Sequence, residues 1–181
     1  MRWSRSSSIT YIEQSAPLGL AHALLTAEDY LGQTPFVMYL GDNLLRDGIV
    51  DLVEEFRRSG PDALILLTHV DDPSSYGVAE LNGDRVVRLI EKPRKPPNQT
   101  RGTGNCIFRS RIFEYVPLTP INQNRQEREL PDLIQCAIDD GLAVKSFDIG
   151  DGYVNINTPA DIEVAERAHA ARCRTQPEER P

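Results

Sequence analysis

FVMYLGDN, residues 36–43, decides how the rest of the chain is read. Apolar and aromatic residues run into Gly41 and then a single acid, Asp42. A short apolar run rich in β-formers predicts a strand buried on both faces, central in a parallel sheet. Open α/β sheets bind ligands beyond the carboxyl ends of their strands. Asp42 falls at such an end, and Gly41 removes the side chain that would keep a ligand away. An acid there suits a hard cation such as Mg²⁺ that also holds phosphates. The competing reading is an ordinary turn or N-cap aspartate.

Working outward, residues 14–19 (QSAPLG) form a loop punctuated by Pro17 and Gly19. A helix follows to about Tyr30, with Leu20, Leu24, Ala27 and Leu31 on one face. After the organising strand, Asp47 or Gly48 opens a second helix with a stripe of Ile49, Leu52, Val53 and Phe56. Ser59-Gly60-Pro61 stops it. Residues 63–69 (ALILLTH) read as a second buried strand. This alternation predicts crossover units and a mainly parallel sheet. Asn82-Gly83-Asp84, between residues 78–81 and 85–90, is a hairpin signal. Residues 94–101 read as a basic, proline-rich loop, 104–108 as a short strand and 111–115 as a helical turn. Residues 117–128 read as an irregular polar loop. Residues 130–140 predict a helix with Pro131 in its first turn, and Gly141 just beyond its end. Residues 143–149 read as a strand, and Thr158-Pro159 as the start of a helix to about Ala171. The fold class expected is therefore α/β, a mixed, mostly parallel open sheet with helices on both faces.

The 181 residues contain 40% hydrophobic and 26% charged residues and carry a net charge of −7. That balance is globular, and it gives no nucleic-acid or anionic-membrane surface. No apolar run approaches the roughly 18 residues of a membrane span. Cys106, Cys136 and Cys173 lack the paired spacing of a zinc site or a disulfide framework. The expectation is a cytoplasmic chain with a disordered leader over residues 1–8, a partial domain over 9–171 and a disordered tail over 172–181.

Four loops leave strand ends with complementary chemistry. Asp42 offers oxygen to a metal. Glu91 offers acceptors for sugar hydroxyls, and Lys92 is a compact charge suited to phosphate. Gln14 carries donor and acceptor and can read a pyrimidine edge. Gly19 and Gly77 let backbone amides approach a ligand. Each has a plainer alternative: a surface ion pair for Glu91 and Lys92, a turn for Tyr76-Gly77, a helix start for Gln14.

The segments YIEQSAPLGLAHAL, FVMYLGDN, DDPSSYGVAEL, RVVRLIEKP, TGNCIF and ELPDLIQ stand in the order found in sugar-1-phosphate nucleotidyltransferases. The chain resembles that family over most of its length, and within it the long-form glucose-1-phosphate thymidylyltransferases. The resemblance implies the nucleotide-diphospho-sugar transferase type of fold and transfer of a thymidylyl or uridylyl group from dTTP or UTP to a hexose-1-phosphate. By the same resemblance Gln14 and Gly19 would hold the base, and Asp42 would coordinate Mg²⁺. Tyr76, Gly77, Glu91 and Gly104 would line the sugar, and Lys92 would meet its phosphate.

The chain also departs from the pattern. The family's glycine-rich GGxGTRLxPxT loop, which wraps the triphosphate, is not present, so the domain is expected to be truncated at its N-terminus. Asn155 stands where a second metal-binding acid belongs. Asn can still ligate Mg²⁺ through its carbonyl oxygen, without the charge. Three readings stay open: an enzyme whose N-terminal part is missing from this sequence, a non-catalytic sugar-phosphate or nucleotide binder, and a subunit whose partner chain supplies the loop. Self-association into a homo-oligomer is a separate expectation.

Overall fold

The computed structural model describes residues 8–175, with side chains to residue 170. Residues 1–7 of the expected leader and 176–181 of the expected tail lie outside the described residues. The helix expected after the first loop forms in two pieces, α1 (Leu20–Thr26) and α2 (Glu28–Leu31). Strands β1 (Phe36–Met38) and β2 (Asn43–Leu45) flank the Asp42 turn. Helix α3 (Val50–Ser59) ends at Gly60, whose φ of 63° is the left-handed conformation that terminates a helix without strain. Strand β3 (Ala63–His69) follows, then the hairpin of β4 (Gly77–Asn82) and β5 (Arg85–Glu91). Next come β6 (Thr100–Phe108), a small hairpin of β7 (Ile121–Asn122) and β8 (Glu127–Arg128), and helix α4 (Leu130–Asp139). Strands β9 (Val144–Asp148) and β10 (Tyr153–Asn155) precede α5 (Pro159–Thr175), which runs past the expected end at Ala171.

Six strands form the main sheet in the order β1-β6-β3-β9-β5-β4, and β2 pairs with β10 beside it. The α/β class and the mixed sheet are as expected. The strand directions are not: among the described residues only β3 and β9 run parallel, while β1–β6, β6–β3, β9–β5 and β5–β4 are antiparallel. Nor is β1 central. It lies at the edge, paired with β6, and the centre is taken by the parallel pair β3 and β9. Between β1 and β3 runs β6, longer than the short strand expected over 104–108, because Thr100-Arg101-Gly102, partly assigned to a loop, belongs to it. The hairpin register is as the turn chemistry requires: Asn82 pairs with Arg85, leaving Gly83 at φ 64° in a two-residue loop.

Side chains alternate across β3, so its two faces enter separate cores. Ala63, Ile65 and Leu67 meet Leu133, Ile134 and Ala137 of α4 and Ala21 and Leu24 of α1. Leu64 and Leu66 meet Leu52 and Phe56 of α3 with Leu45 of β2. Helices therefore cover both faces. Each fully buried Leu or Phe contributes roughly 1.5–3 kcal/mol relative to exposure, so the two clusters hold the sheet between α3 and α4. Phe36 anchors the edge strand, its ring stacked on Phe113 at 5.3 Å. Past α4, Gly141 at φ 89° lets the Leu142 N–H reach the Ala137 carbonyl, 2.9 Å away.

Candidate functional site

The centre of the site is the bulge in β6. Ile65 pairs with Cys106 but Leu67 pairs with Gly102, so β6 spends two more residues than β3 over this stretch. Thr103-Gly104-Asn105 is thereby pushed out of the ladder, as bulges beside functional sites do. Gly104 has φ 81°, and a Cβ there would fall 2.6 Å from Leu40 Cδ1. Only glycine combines that backbone with that approach.

The turn bearing Asp42 is strapped onto this bulge. Leu40 N–H donates to Asn105 Oδ1 at 2.9 Å, and Asn43 Nδ2 donates to the Thr103 carbonyl at 3.2 Å. Tyr153 O–H donates to Asn43 Oδ1 at 3.0 Å. Burial pushes the Tyr153 hydroxyl above its usual pKa, which keeps it a donor. Asn155 pairs with Asn43, and the Ile156 N–H donates to the Asp42 carbonyl at 2.8 Å. Thus the two residues expected to hold a metal are brought to one place. Asn155 Oδ1 is buried and has no hydrogen-bond partner. An oxygen acceptor so placed beside Asp42 fits a hard divalent cation.

Gly77, Glu91 and Gly104 line one cavity of about 200 Å³, with Leu20, Gly102, Thr103, Cys106, Glu129 and Pro131 among its other walls. Gly77 sits opposite Glu91 in the β4–β5 ladder. Burial raises the Glu91 carboxyl above the usual carboxylate range, with Lys92 opposing and Glu129 adding to the rise. Lys92 Nζ lies 3.5 Å from Glu91 Oε1. Its backbone has φ 46°, rare for a side-chain-bearing residue. The Lys92 N–H donates to the Tyr76 carbonyl at 3.0 Å, and this bond helps hold the unfavourable turn. Outliers of this kind concentrate at ligand sites.

Gln14 and Gly19 also meet: Gln14 Nε2 lies 3.2 Å from the Gly19 carbonyl and 2.9 Å from His22 Nδ1. Gly19 at φ 95° packs on the Arg128 backbone, where a Cβ would collide with the carbonyl oxygen. The loop leads into Leu20 of α1, which lines the cavity. Tyr76, expected beside the sugar, is not among the cavity walls. Its ring instead lies over the Arg101 guanidinium at 4.1 Å.

Several site residues carry no role in the sequence reading. Asn43 and Asn105 are buried, and an Asn directly after a glycine-containing turn and directly before an apolar pair is the signal available for them. Glu129 lines the cavity just before the proline of α4, a position the ELPDLIQ segment displays. Arg101 had no signal separating it from its basic surroundings.

A model of the family described as nucleotidyl transferase matches residues 2–166. The chain is 52% identical over 147 residues to glucose-1-phosphate thymidylyltransferase of Streptomyces antibioticus, covering 80% of this chain and 41% of that protein. It is 35% identical over 166 residues to the UTP–glucose-1-phosphate uridylyltransferase AglF of Haloferax volcanii, covering 90% of this chain and 68% of that one. The solved apo structure of UDP-glucose pyrophosphorylase superposes with a TM-score of 0.75 at 20% identity, over 92% of this chain and 64% of that one. At that identity the likeness speaks to the fold. The chain spans about two fifths of the length of the first curated relatives it matches.

Proposed function

The chain belongs to the nucleotidyl transferase family, and on that footing we propose that it serves transfer of a thymidylyl or uridylyl group from dTTP or UTP to glucose-1-phosphate. In that reaction a phosphate oxygen of the sugar-1-phosphate attacks the α-phosphorus in line, the α–β bridge breaks, and pyrophosphate leaves. Little covalent participation is needed from protein; positioning and charge neutralisation dominate.

The observation that carries the reading is the single cavity lined by Gly77, Glu91 and Gly104, with Lys92 at its rim 3.5 Å from Glu91. Glu91 accepts from sugar hydroxyls, and the two glycines leave room for the ring. Lys92 exchanges its carboxylate neighbour for the sugar phosphate. Gln14 and Gly19 hold the base, and Tyr76 closes the rim through its carbonyl bond to Lys92. Asp42 and Asn155 would hold Mg²⁺, supported by the unpartnered Asn155 Oδ1. Bound there, Mg²⁺ supplies charge neutralisation between nucleotide and sugar phosphates.

The 181 residues contain no GGxGTRLxPxT stretch. This favours a second reading in which these residues bind sugar phosphate and base, while the loop around the triphosphate comes from outside them, in the same protein or a partner chain. Cytoplasmic action and self-association belong to the proposal as well. No helix among the described residues is long and apolar enough to cross a membrane.

NMR titration of glucose-1-phosphate into wild type, Lys92→Ala and Glu91→Gln tests the assignment. Removing a charged hydrogen-bond partner costs roughly 1.5–3 kcal/mol, about ten- to a hundredfold in affinity. A surface ion pair without a ligand role is worth under about 1 kcal/mol. If Lys92→Ala binds as wild type does, the sugar site is misassigned.

A further inference from the structure

Gln14 meets the first turn of α1 through one atom. Its Nε2 lies 3.2 Å from the Gly19 carbonyl and 2.9 Å from Nδ1 of His22. A carbonyl can only accept, so the end of the amide facing Gly19 is the nitrogen. That nitrogen only donates, so the His22 Nδ1 beside it accepts, and the imidazole proton sits on its Nε2. Both amide protons of Gln14 are thereby committed, one to each partner. Its hydrogen bonds among the described residues are these two, and Oε1 is the corner of the half-buried amide left for a ligand.

The two partners are themselves held. Ala21 and Leu24 seat α1 in the core, and the Thr26 hydroxyl donates to the His22 carbonyl at 3.0 Å. The Gly19 carbonyl also accepts from the Ala23 N–H at 3.1 Å. Turning the amide over would set Oε1 against the Gly19 carbonyl, two acceptors with no proton between them, whichever nitrogen of His22 carried the proton. An unclamped glutamine offers a ligand both a donor and an acceptor. With His22 in place, this one offers the acceptor alone.

We propose that His22 is a positioning residue that makes Gln14 a one-sided reader of the nucleotide base and so selects bases with a proton on the ring nitrogen. The inference rests on the base-site reading above. Uracil and thymine carry a proton on N3, which Oε1 can receive. Cytosine presents a bare N3, and a carbonyl oxygen set against that lone pair leaves both groups unpaired. Sites built around one hydrogen-bond pattern reject ligands that cannot supply it.

The test titrates uridine 5′-monophosphate and cytidine 5′-monophosphate, which differ only in the base, into the 181-residue chain. Wild type, His22→Phe, His22→Asn and Gln14→Leu are compared, with amide spectra to check the fold. Phe keeps a ring and removes the acceptor, whereas Asn can place a side-chain oxygen near the position of Nδ1. Wild type should prefer the uridine compound by roughly tenfold or more, the scale of one unpaired polar contact. In His22→Phe the freed amide proton can meet the cytosine N3, so the preference should collapse, chiefly through tighter cytidine binding. His22→Asn should retain it. Equal weakening of both nucleotides in His22→Phe is what a merely structural role would give, and it overturns the proposal, as does an unchanged preference. A nitrogen-15 spectrum of the wild-type imidazole at mildly alkaline pH needs no variant. Nδ1 should be the bare nitrogen, and a proton on Nδ1 overturns the proposal even if His22→Phe does not fold. If the proposal falls while Gln14→Leu weakens uridine binding, the base site stands without His22. If Gln14→Leu is silent, or wild type binds neither nucleotide, both readings fall.

Discussion

Gly77 and Glu91 face each other across the β4–β5 ladder, and a Cβ on Gly77 would stand 3.3 Å from Glu91 Oε2 and 3.2 Å from Pro131 Cγ. The glycine is therefore the space in which the carboxylate rests. Gly77→Ala should displace Glu91 while leaving the ladder intact. Sugar-phosphate affinity is expected to fall roughly tenfold, the scale of one misplaced polar contact. Thermal stability should change by about 1 kcal/mol or less, because both neighbours have small shifts available. Paired titration and melting curves check it; a large stability loss with unchanged affinity contradicts the assignment.

Gly104→Ala should behave in the opposite way. At φ 81°, with Leu40 Cδ1 only 2.6 Å from the new methyl, the variant meets both backbone strain and overlap. The strain alone costs about 1–3 kcal/mol. Adding Leu40→Ala should relieve the overlap but not the strain, so the urea midpoint of the double variant should not reach that of Leu40→Ala alone.

Glu91 gives the site a pH dependence. Burial raises its folded-state pKa above the ordinary 4.5, so folding favours the protonated form. Its stabilising contribution is present below the unfolded value and is lost as pH rises through the raised folded value. Glu91→Gln should therefore lose less stability than wild type between mildly acidic and neutral pH. Sugar-phosphate binding should show the reverse trend, strengthening in wild type as the carboxylate ionises. Urea unfolding and titrations at matched pH values separate the two effects.

Asn155→Asp tests the proposed cation site. The added charge should tighten divalent binding by about tenfold, since charge count tunes such sites. Without metal the variant buries an unpaired carboxylate beside Asp42 and should lose roughly 1–3 kcal/mol. Mg²⁺ should then raise its melting temperature more than that of wild type, because only the folded state binds. Equal responses to Mg²⁺ would remove Asn155 from the site.

The 181-residue chain by itself should show negligible nucleotidyl transfer. Losing a single preorganised charge-stabilising donor costs about 100- to 1,000-fold in rate, and the GGxGTRLxPxT loop is not among these residues. A pyrophosphate-release assay with dTTP, Mg²⁺ and glucose-1-phosphate reads this directly. Turnover at tens per second would contradict it.

Local patterns announced much of the architecture. The run ALILLTH became β3 over the expected residues, and Gly83 turned the expected hairpin. Helices α3 and α4 lie where their apolar stripes and terminal Gly and Pro residues put them. Hydrophobic period and turn chemistry are properties of neighbouring residues, so they can be read without the rest of the chain. The family segments likewise named Gly77, Glu91 and Gly104, which one cavity unites.

Strand order and direction were decided only in three dimensions. The apolar run of FVMYLGDN suits a central parallel strand, yet β1 sits at the edge, antiparallel to a glycine-rich β6 that looked partly like loop. Which strand takes the centre depends on how all faces pack together, and no single strand's pattern encodes that sum. The same holds for Arg101 and Asn155. Their residue types were visible in the chain, but the buried Nε and Oδ1 without partners exist only because β6, β10 and the Asp42 turn close around them. Burial makes an unpaired polar atom costly, and burial belongs to the tertiary structure.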